Sequence, residues 1–187
     1  MINRAGQRLV LDTSLFSNPE TQQYFGDDIE DAITRFIGLA NKNGIELYMP
    51  ISIFRELSNF TTEEIMSTFR KNASVRAPRL HDIKVPAAIF HSFVNDLRDR
   101  VNRGLRIAEE AIRSEENPDN IRWVRRKYRD ALRTGIVDSV EDLDVVLLAE
   151  EVSGAILSAD KGIESMGEEL GIEFFTAEDI VNIYGDS

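Results

Sequence analysis

The sequence predicts an α/β fold: a three-layer α/β/α arrangement with a central parallel sheet and an inserted helical hairpin. Two observations lead to it. Short apolar strand segments alternate with helical periodicity at both ends of the chain, the pattern of βαβ units around a parallel sheet. Between them, Pro86 to Thr134 holds no strand candidate and reads as two long helices around the turn Asn117-Pro118-Asp119-Asn120. The reading is of one domain over residues 1–187, with residues 86–134 as the hairpin within it.

Arg8–Ser14 (RLVLDTS) is a short buried strand ending on a polar turn. Asp27–Asn43 carries helical spacing through Ile29, Ile33, Phe36, Ile37 and Ala40, with Gly44 placed to cap its end. Glu46–Pro50 is a second strand, after which Ser52 can cap a helix running to Phe60. Thr61 with Glu64 then makes a capping box for the next helix. Ala155–Ala159 and Ile172–Thr176 are a third and a fourth strand, with a helix between them that ends near Gly171.

With 42 % hydrophobic and 29 % charged residues the 187-residue chain has an ordinary globular composition. It can bury roughly 70 % of its unfolded surface. The absence of Cys excludes disulfides, thiolate zinc sites, iron–sulfur clusters and cysteine nucleophiles together. Two histidines, His81 and His91, leave little for a histidine metal site or proton relay, and read as surface or packing residues. The opening MINRAGQRLVLD lacks the apolar core of a signal peptide, and no apolar run approaches membrane-spanning length, so the expectation is a cytoplasmic protein without membrane contact.

A net charge of −11 argues at first against a nucleic-acid partner. The total averages two unlike regions. Arg98–Arg133 carries 11 Lys and Arg against 7 Asp and Glu, a local +4, whereas Asp138–Ser187 has 14 acidic residues and only Lys161. Within the basic region Arg122, Arg125, Arg126, Arg129 and Arg133 fall in an arc of roughly 100° on one helix. Ile121, Val124, Tyr128, Ala131 and Leu132 occupy a separate arc suited to a partner helix. Guanidinium groups fork onto phosphates, so the stripe can follow an RNA backbone. Salt bridges to Glu109, Glu110, Glu115 and Glu116 are the plainer alternative. Trp123 lies off both arcs, and Ile89, Phe90, Phe93, Val94 and Leu97 read as helix-packing or subunit-contact surface.

In an open parallel sheet ligands bind beyond the carboxyl ends of the strands. Asp12 closes the first strand, Asp160 closes the third, and Glu56 sits early in the helix after the second. A denser group follows in GIVDSVEDLDVVLLAE, where Asp138, Glu141 and Asp142 share one helix face and Asp144 lies close to the core. Asp138 can cap that helix, and Glu141 reads as solvated. A lone Asp at a strand end is equally well a helix cap. Several carboxylates converging from separate elements repel one another unless protonated or neutralised by a cation. Oxygen ligands without His or Cys select Mg²⁺ or Mn²⁺, which suits metal-assisted hydrolysis of a phosphodiester.

V-L-D-T-S, P-I-S-I-F-R-E-L, D-L-D-V-V-L-L-A-E-E and I-L-S-A-D, in that order, resemble the acidic signature of PIN-domain nucleases. The resemblance implies that Asp12, Glu56, Asp144 and Asp160 line a metal site. A narrower one covers nearly the whole chain: V-L-D-T-S-L-F-S-N-P-E, V-N-R-G-L-R-I-A-E-E, R-K-Y-R-D-A-L-R-T-G-I-V-D-S-V-E-D-L-D-V-V-L-L-A and S-A-D-K-G look like the minimal protein-only RNase P group, also called RNA ligase partner proteins. It implies a PIN-like domain with an inserted hairpin, and self-association through dimers into a large homo-oligomer, a dodecamer. It also implies removal of the 5′ leader from precursor tRNA, leaving a 5′-phosphate and needing no RNA subunit. The implied catalytic set is Asp12, Asp138, Asp142, Asp144 and Asp160. The expected ligands for Mg²⁺, with Mn²⁺ as substitute, are Asp12, Glu56, Asp142, Asp144 and Asp160. Another PIN ribonuclease, or a non-catalytic RNA-binding partner of an RNA ligase, are the alternatives.

Overall fold

The computed structural model describes residues 6–113, 120–132 and 139–185. The chain divides into two compact units, Met1–Ile83 with Ser139–Ser187, and Lys84–Asp138.

The first unit runs β1 (Arg8–Leu11), α1 (Ser14–Ser17), α2 (Pro19–Gln22), α3 (Ile29–Asn43), β2 (Glu46–Met49), α4 (Ile51–Leu57), α5 (Glu63–Asn72) and β3 (Ala73–Val75). In the second unit lie α6 (Ala87–Arg113) and α7 (Asn120–Leu132). The chain then resumes the first with α8 (Val140–Val152), β4 (Ala155–Leu157), α9 (Lys161–Leu170), β5 (Phe174–Phe175) and α10 (Ala177–Tyr184).

The five strands form one sheet in the order β3-β2-β1-β4-β5, and every pairing is parallel. Val10 pairs with Tyr48 on one side and Ile156 on the other. Successive residues of a strand face opposite sides, and Leu9, Val10 and Leu11 are all fully buried, so helices cover both faces. On one side α3 packs on α1 and α5; α8 packs on α4, α9, β1 and β4. Aromatic edges fill the space around α3: Phe36 meets Phe16 and Phe25 at centroid distances of 5.7 and 5.1 Å. This is the doubly wound sheet the sequence predicts, with one strand more. The fifth, β3, is only three residues long at the sheet edge.

Helix ends agree with the sequence in part. Gly44 and Gly171 close α3 and α9 in the left-handed conformation, φ 66° and 72°. Ser52 does not cap α4: the helix starts at Ile51, and Pro50 before it makes no side-chain cap. Thr61 and Glu64 form no capping box either. Glu30 of α3 accepts from Thr61 Oγ1 at 3.2 Å and from the Thr62 amide at 3.0 Å, and these bonds hold its carboxyl below the usual range. A tertiary carboxylate has replaced the local cap. Ser139, not Asp138, is the N-cap of α8, in a reciprocal capping box with Asp142. Asp138 itself, like Arg133, Glu115, Glu116 and the turn at 117–119, lies outside the described residues.

In the second unit α6 and α7 pack on each other. A Cβ at Gly104 would come within 2.5 Å of the Tyr128 ring, so the missing side chain permits that close approach. Among the described residues no helix is long and apolar enough to cross a membrane.

The segment after β3 is clasped to the far end of α8. Glu151, its side chain only 6 % exposed, accepts from the Arg79 amide, Arg79 Nε and Arg76 Nη1, each at 2.7 Å. Burial pushes the Glu151 carboxyl up, but these donors outweigh it and hold it at about 2. A pKa depressed from 4.5 contributes stability that is complete above pH 4.5 and lost as pH falls toward 2. Glu151→Gln is therefore expected to cost about 1–2 kcal/mol at neutral pH, read as a lower Tm. The gap from wild type should narrow below pH 4.5; a constant gap down to pH 2.5 would assign the loss to packing alone.

Candidate active site

Strand order reverses between β1 and β4, and the crevice beyond their carboxyl ends is where a doubly wound sheet binds ligands. The sequence delivers acidic residues there from four places. Asp12 follows β1, and Asp160 follows β4 as N-cap of α9. Glu56 is on α4, directly after β2, and Asp142 and Asp144 are in the opening turns of α8.

Asp12 is 6 % exposed, between Thr13 at 3 % and Ser158 at 1 %. A buried carboxylate needs donors, and Asp12 has them. The Thr13 amide donates to Oδ1 at 2.7 Å, while Oδ2 accepts from the Ser14 amide at 3.3 Å and from Ser158 Oγ at 2.8 Å, and also from Ser14 Oγ. The two hydroxyls are themselves held by the β4–α9 turn: the Ala159 amide donates to Ser14 Oγ and the Asp160 amide to Ser158 Oγ, both at 3.0 Å. Asp160 Oδ1 accepts from the amides of Gly162 and Ile163 at 2.7 and 3.0 Å. The plain reading of a strand-end Asp as a helix cap is thus right for Asp160, and its position at the crevice is unchanged by it.

Asp142 Oδ2 accepts from the Ser139 amide at 3.1 Å. Burial pushes its carboxyl up to about 6; the Ser139 bonds oppose this, and the negative charges of Asp160 and Asp12 reinforce it. Three elements therefore bring Asp12, Asp142 and Asp160 within electrostatic reach of one another. Asp144, half-buried, accepts from Ser52 Oγ at 2.7 Å. Glu56 is exposed, and its Oε2 accepts from Thr13 Oγ1 at 3.3 Å. Glu141 is exposed as expected.

Among the described residues no three acidic side chains stand close enough together to hold a metal ion. The donor chemistry nevertheless fits a hard divalent cation. All five side chains offer oxygen alone, and the repulsion felt by Asp142 is negative charge that the chain leaves uncompensated. Of the expected ligands Asp12, Glu56, Asp142, Asp144 and Asp160, it is Asp12, Asp142 and Asp160 that share this repulsion. Sequence reasoning overlooked the hydroxyls Thr13, Ser14, Ser52, Ser139 and Ser158 that orient these carboxylates. The D-T-S and S-A-D triplets were the available signal, since each sets a small donor beside a strand-end Asp.

In the second unit, Arg122, Arg125, Arg126 and Arg129 are exposed on α7, and none forms an ion pair among the described residues. The alternative bridges to Glu109 and Glu110 do not occur among the described residues; Arg133, Glu115 and Glu116 lie outside them. Lys127 Nζ stands 6.0 Å from the centre of the Trp123 ring. His81 and His91 are exposed.

The raised pKa of Asp142 has a thermodynamic consequence. The folded chain binds this proton more tightly than an unfolded one, so the contribution of this group to stability is fully present below pH 3.8 and is lost as pH rises through about 6. In EDTA-treated protein Asp142→Asn should raise Tm by a few degrees above pH 6 and leave it unchanged below pH 4. Equal melting of the two proteins at pH 7.5 would contradict this.

The PINc domain ribonuclease family model matches residues 8–185. Over 178 residues the chain is 42 % identical to the RNA-free ribonuclease P of Thermococcus onnurineus (strain NA1), covering 91 % of this chain and 89 % of that protein. It is 39 % identical to the RNA-free ribonuclease P of Alkalilimnicola ehrlichii, covering 92 % and 93 %. With that of Thermodesulfovibrio yellowstonii it shares 38 % over 185 residues, covering 95 % and 94 %. The resemblance carried by the acidic blocks extends to essentially the whole chain, and the protein belongs to the PINc-domain ribonucleases, in the group whose members are named RNA-free ribonuclease P.

Proposed function

We propose that the chain is a Mg²⁺-dependent endoribonuclease that removes the 5′ leader of precursor tRNA by hydrolysis and works without an RNA subunit. The observation that carries this reading is the placement of Asp12, Asp142 and Asp160 by three separate elements near one another, where the charges of Asp160 and Asp12 add to the burial that raises Asp142 to about 6. A divalent cation, with Mn²⁺ as substitute for Mg²⁺, would supply Lewis acidity that lowers the pKa of water and offsets charge at the scissile phosphate.

The chain's own part is positioning. Asp12 is locked by amides and hydroxyls of its own turn and of the β4–α9 turn. Asp160 is fixed by the first amides of α9, Asp142 by the α8 capping box and Asp144 by Ser52. We include Asp138 in the catalytic set on the family resemblance alone. Proton transfer is assigned, on this reading, to carboxylates and water.

The substrate is bound, on this reading, by the arginines of α7. Arg122, Arg125, Arg126 and Arg129 are exposed and without ion pairs among the described residues, as phosphate contacts should be before RNA arrives. Arg133 completes the proposed stripe. Self-association is part of the same reading. Its support is the exposed apolar row Phe90, Phe93, Val94, Leu97, Val101 and Leu105 along α6, a face suited to a second copy of the chain.

The purified full chain with Mg²⁺ should release the leader of a precursor tRNA and leave a 5′-phosphate at the mature end, as mapped on the products. EDTA should stop the reaction. Asp142→Asn should lower kcat at least about 100-fold while precursor affinity changes little. A leader left uncut across Mg²⁺ and Mn²⁺ titrations would falsify the enzyme reading.

Arg125→Ala combined with Arg129→Ala should weaken precursor binding about 10-fold at low salt. It should also reduce the slope of log K against log salt by about 2. Unchanged affinity and slope would remove these two residues from the RNA interface.

A further inference from the structure

Each carboxylate of the crevice has an orienting donor, and for most of them it lies in the same turn. Asp142 is held by Ser139, three residues before it, and Asp160 by Gly162 and Ile163 just after it. Asp12 is held by Thr13 and Ser14, with Ser158 added from the adjacent strand. Asp144 differs. Its single hydrogen bond among the described residues comes from Ser52 Oγ, 92 residues away on α4, at 2.7 Å.

We infer that Ser52 is a positioning residue for Asp144, fixing the carboxylate through Oδ2 so that Oδ1 is presented to a divalent cation. Three observations carry this. First, Ser52 is free for the task. The sequence places a capping serine there, but α4 starts one residue earlier and Ser52 caps nothing. Second, the packing of α4 against α8 sets the distance, so the hydroxyl projects from one rigid element onto another. A hydroxyl has one proton to donate, and here a carboxylate oxygen takes it. Third, the same face of α4 serves the site twice. Glu56, one turn after Ser52, accepts from Thr13 Oγ1, next to Asp12 in the chain. Ser52 and Glu56 thus tie α4 to both α8 and the β1 turn. A ligand carboxylate with no orienting partner samples several rotamers, and a second-layer hydrogen bond commonly changes metal affinity 10–100-fold.

This inference rests on the proposed metal-dependent reading, and the test separates the two. Mn²⁺ binding to the full chain is measured by titration calorimetry without RNA, for wild type, Ser52→Ala, Ser52→Thr, Asp144→Asn and the double variant Ser52→Ala/Asp144→Asn. Thermal melts establish that each is folded. The expected result is an Mn²⁺ Kd raised about 10-fold by Ser52→Ala and restored toward wild type by Ser52→Thr. The double variant should bind no more weakly than Asp144→Asn, because both substitutions remove the same arrangement. In leader cleavage, Ser52→Ala should raise the half-saturating Mg²⁺ concentration by a similar factor and leave KM for precursor tRNA unchanged. Wild-type Mn²⁺ affinity in Ser52→Ala, or losses that add in the double variant, would overturn the role of Ser52 even if the protein cleaves precursor tRNA. Ser52-dependent Mn²⁺ binding in a protein that cuts no precursor tRNA would uphold it while the proposed reaction fails.

Discussion

Asp12 is the constraint around which the first unit is arranged. A carboxylate 6 % exposed at the end of the central strand is costly to bury unless donors surround it, and the chain supplies them from two strands at once. The hydroxyls that satisfy Asp12 also receive the amides of Ala159 and Asp160, so one network closes the β1 turn, closes the β4–α9 turn and places Asp160. Removing either hydroxyl takes a donor from the buried Asp12 and an acceptor from the β4–α9 turn, which couples the stability of the sheet's centre to the geometry of the crevice.

Glu56 and Asp142 are held differently from Asp12. Glu56 is exposed and accepts from Thr13 alone among the described residues, while Asp142 is held by a helix cap against the repulsion of its neighbours. The charge distribution follows the division of the chain into two units. The sheet-bearing unit carries a net −14 and the other a net +3, and the α7 arginines that form no ion pair among the described residues belong to the latter.

The sequence was informative where a signal is local and strong. Strand–helix alternation, Gly44 and Gly171 as helix ends, and Asp12 and Asp160 at strand ends could all be read from residue order. It failed where a distant group competes with a local one. Thr61 and Glu64 have the spacing of a capping box, yet Glu30 takes the donors; Ser52 has the identity of a cap, yet α4 starts before it and its hydroxyl donates to Asp144. The three residues of β3 carry too little periodicity to stand out from the end of α5, and only pairing with β2 makes them a strand. The hydroxyls of the site escaped notice for a related reason, because Ser and Thr near a turn usually serve the turn itself.

The order of the strands bears on how the chain is made. Asp12 and Ser158 are 146 residues apart, and β1 pairs with β2 on one edge and β4 on the other. During synthesis at 5–20 residues per second, β1 spends roughly 7–30 s with its second edge open before β4 emerges. All of the second unit is translated within that interval. The central strand of the finished sheet is therefore the longest-exposed edge of the nascent one, and closing so long a loop is the step at which chaperone capture or wrong pairing competes with folding.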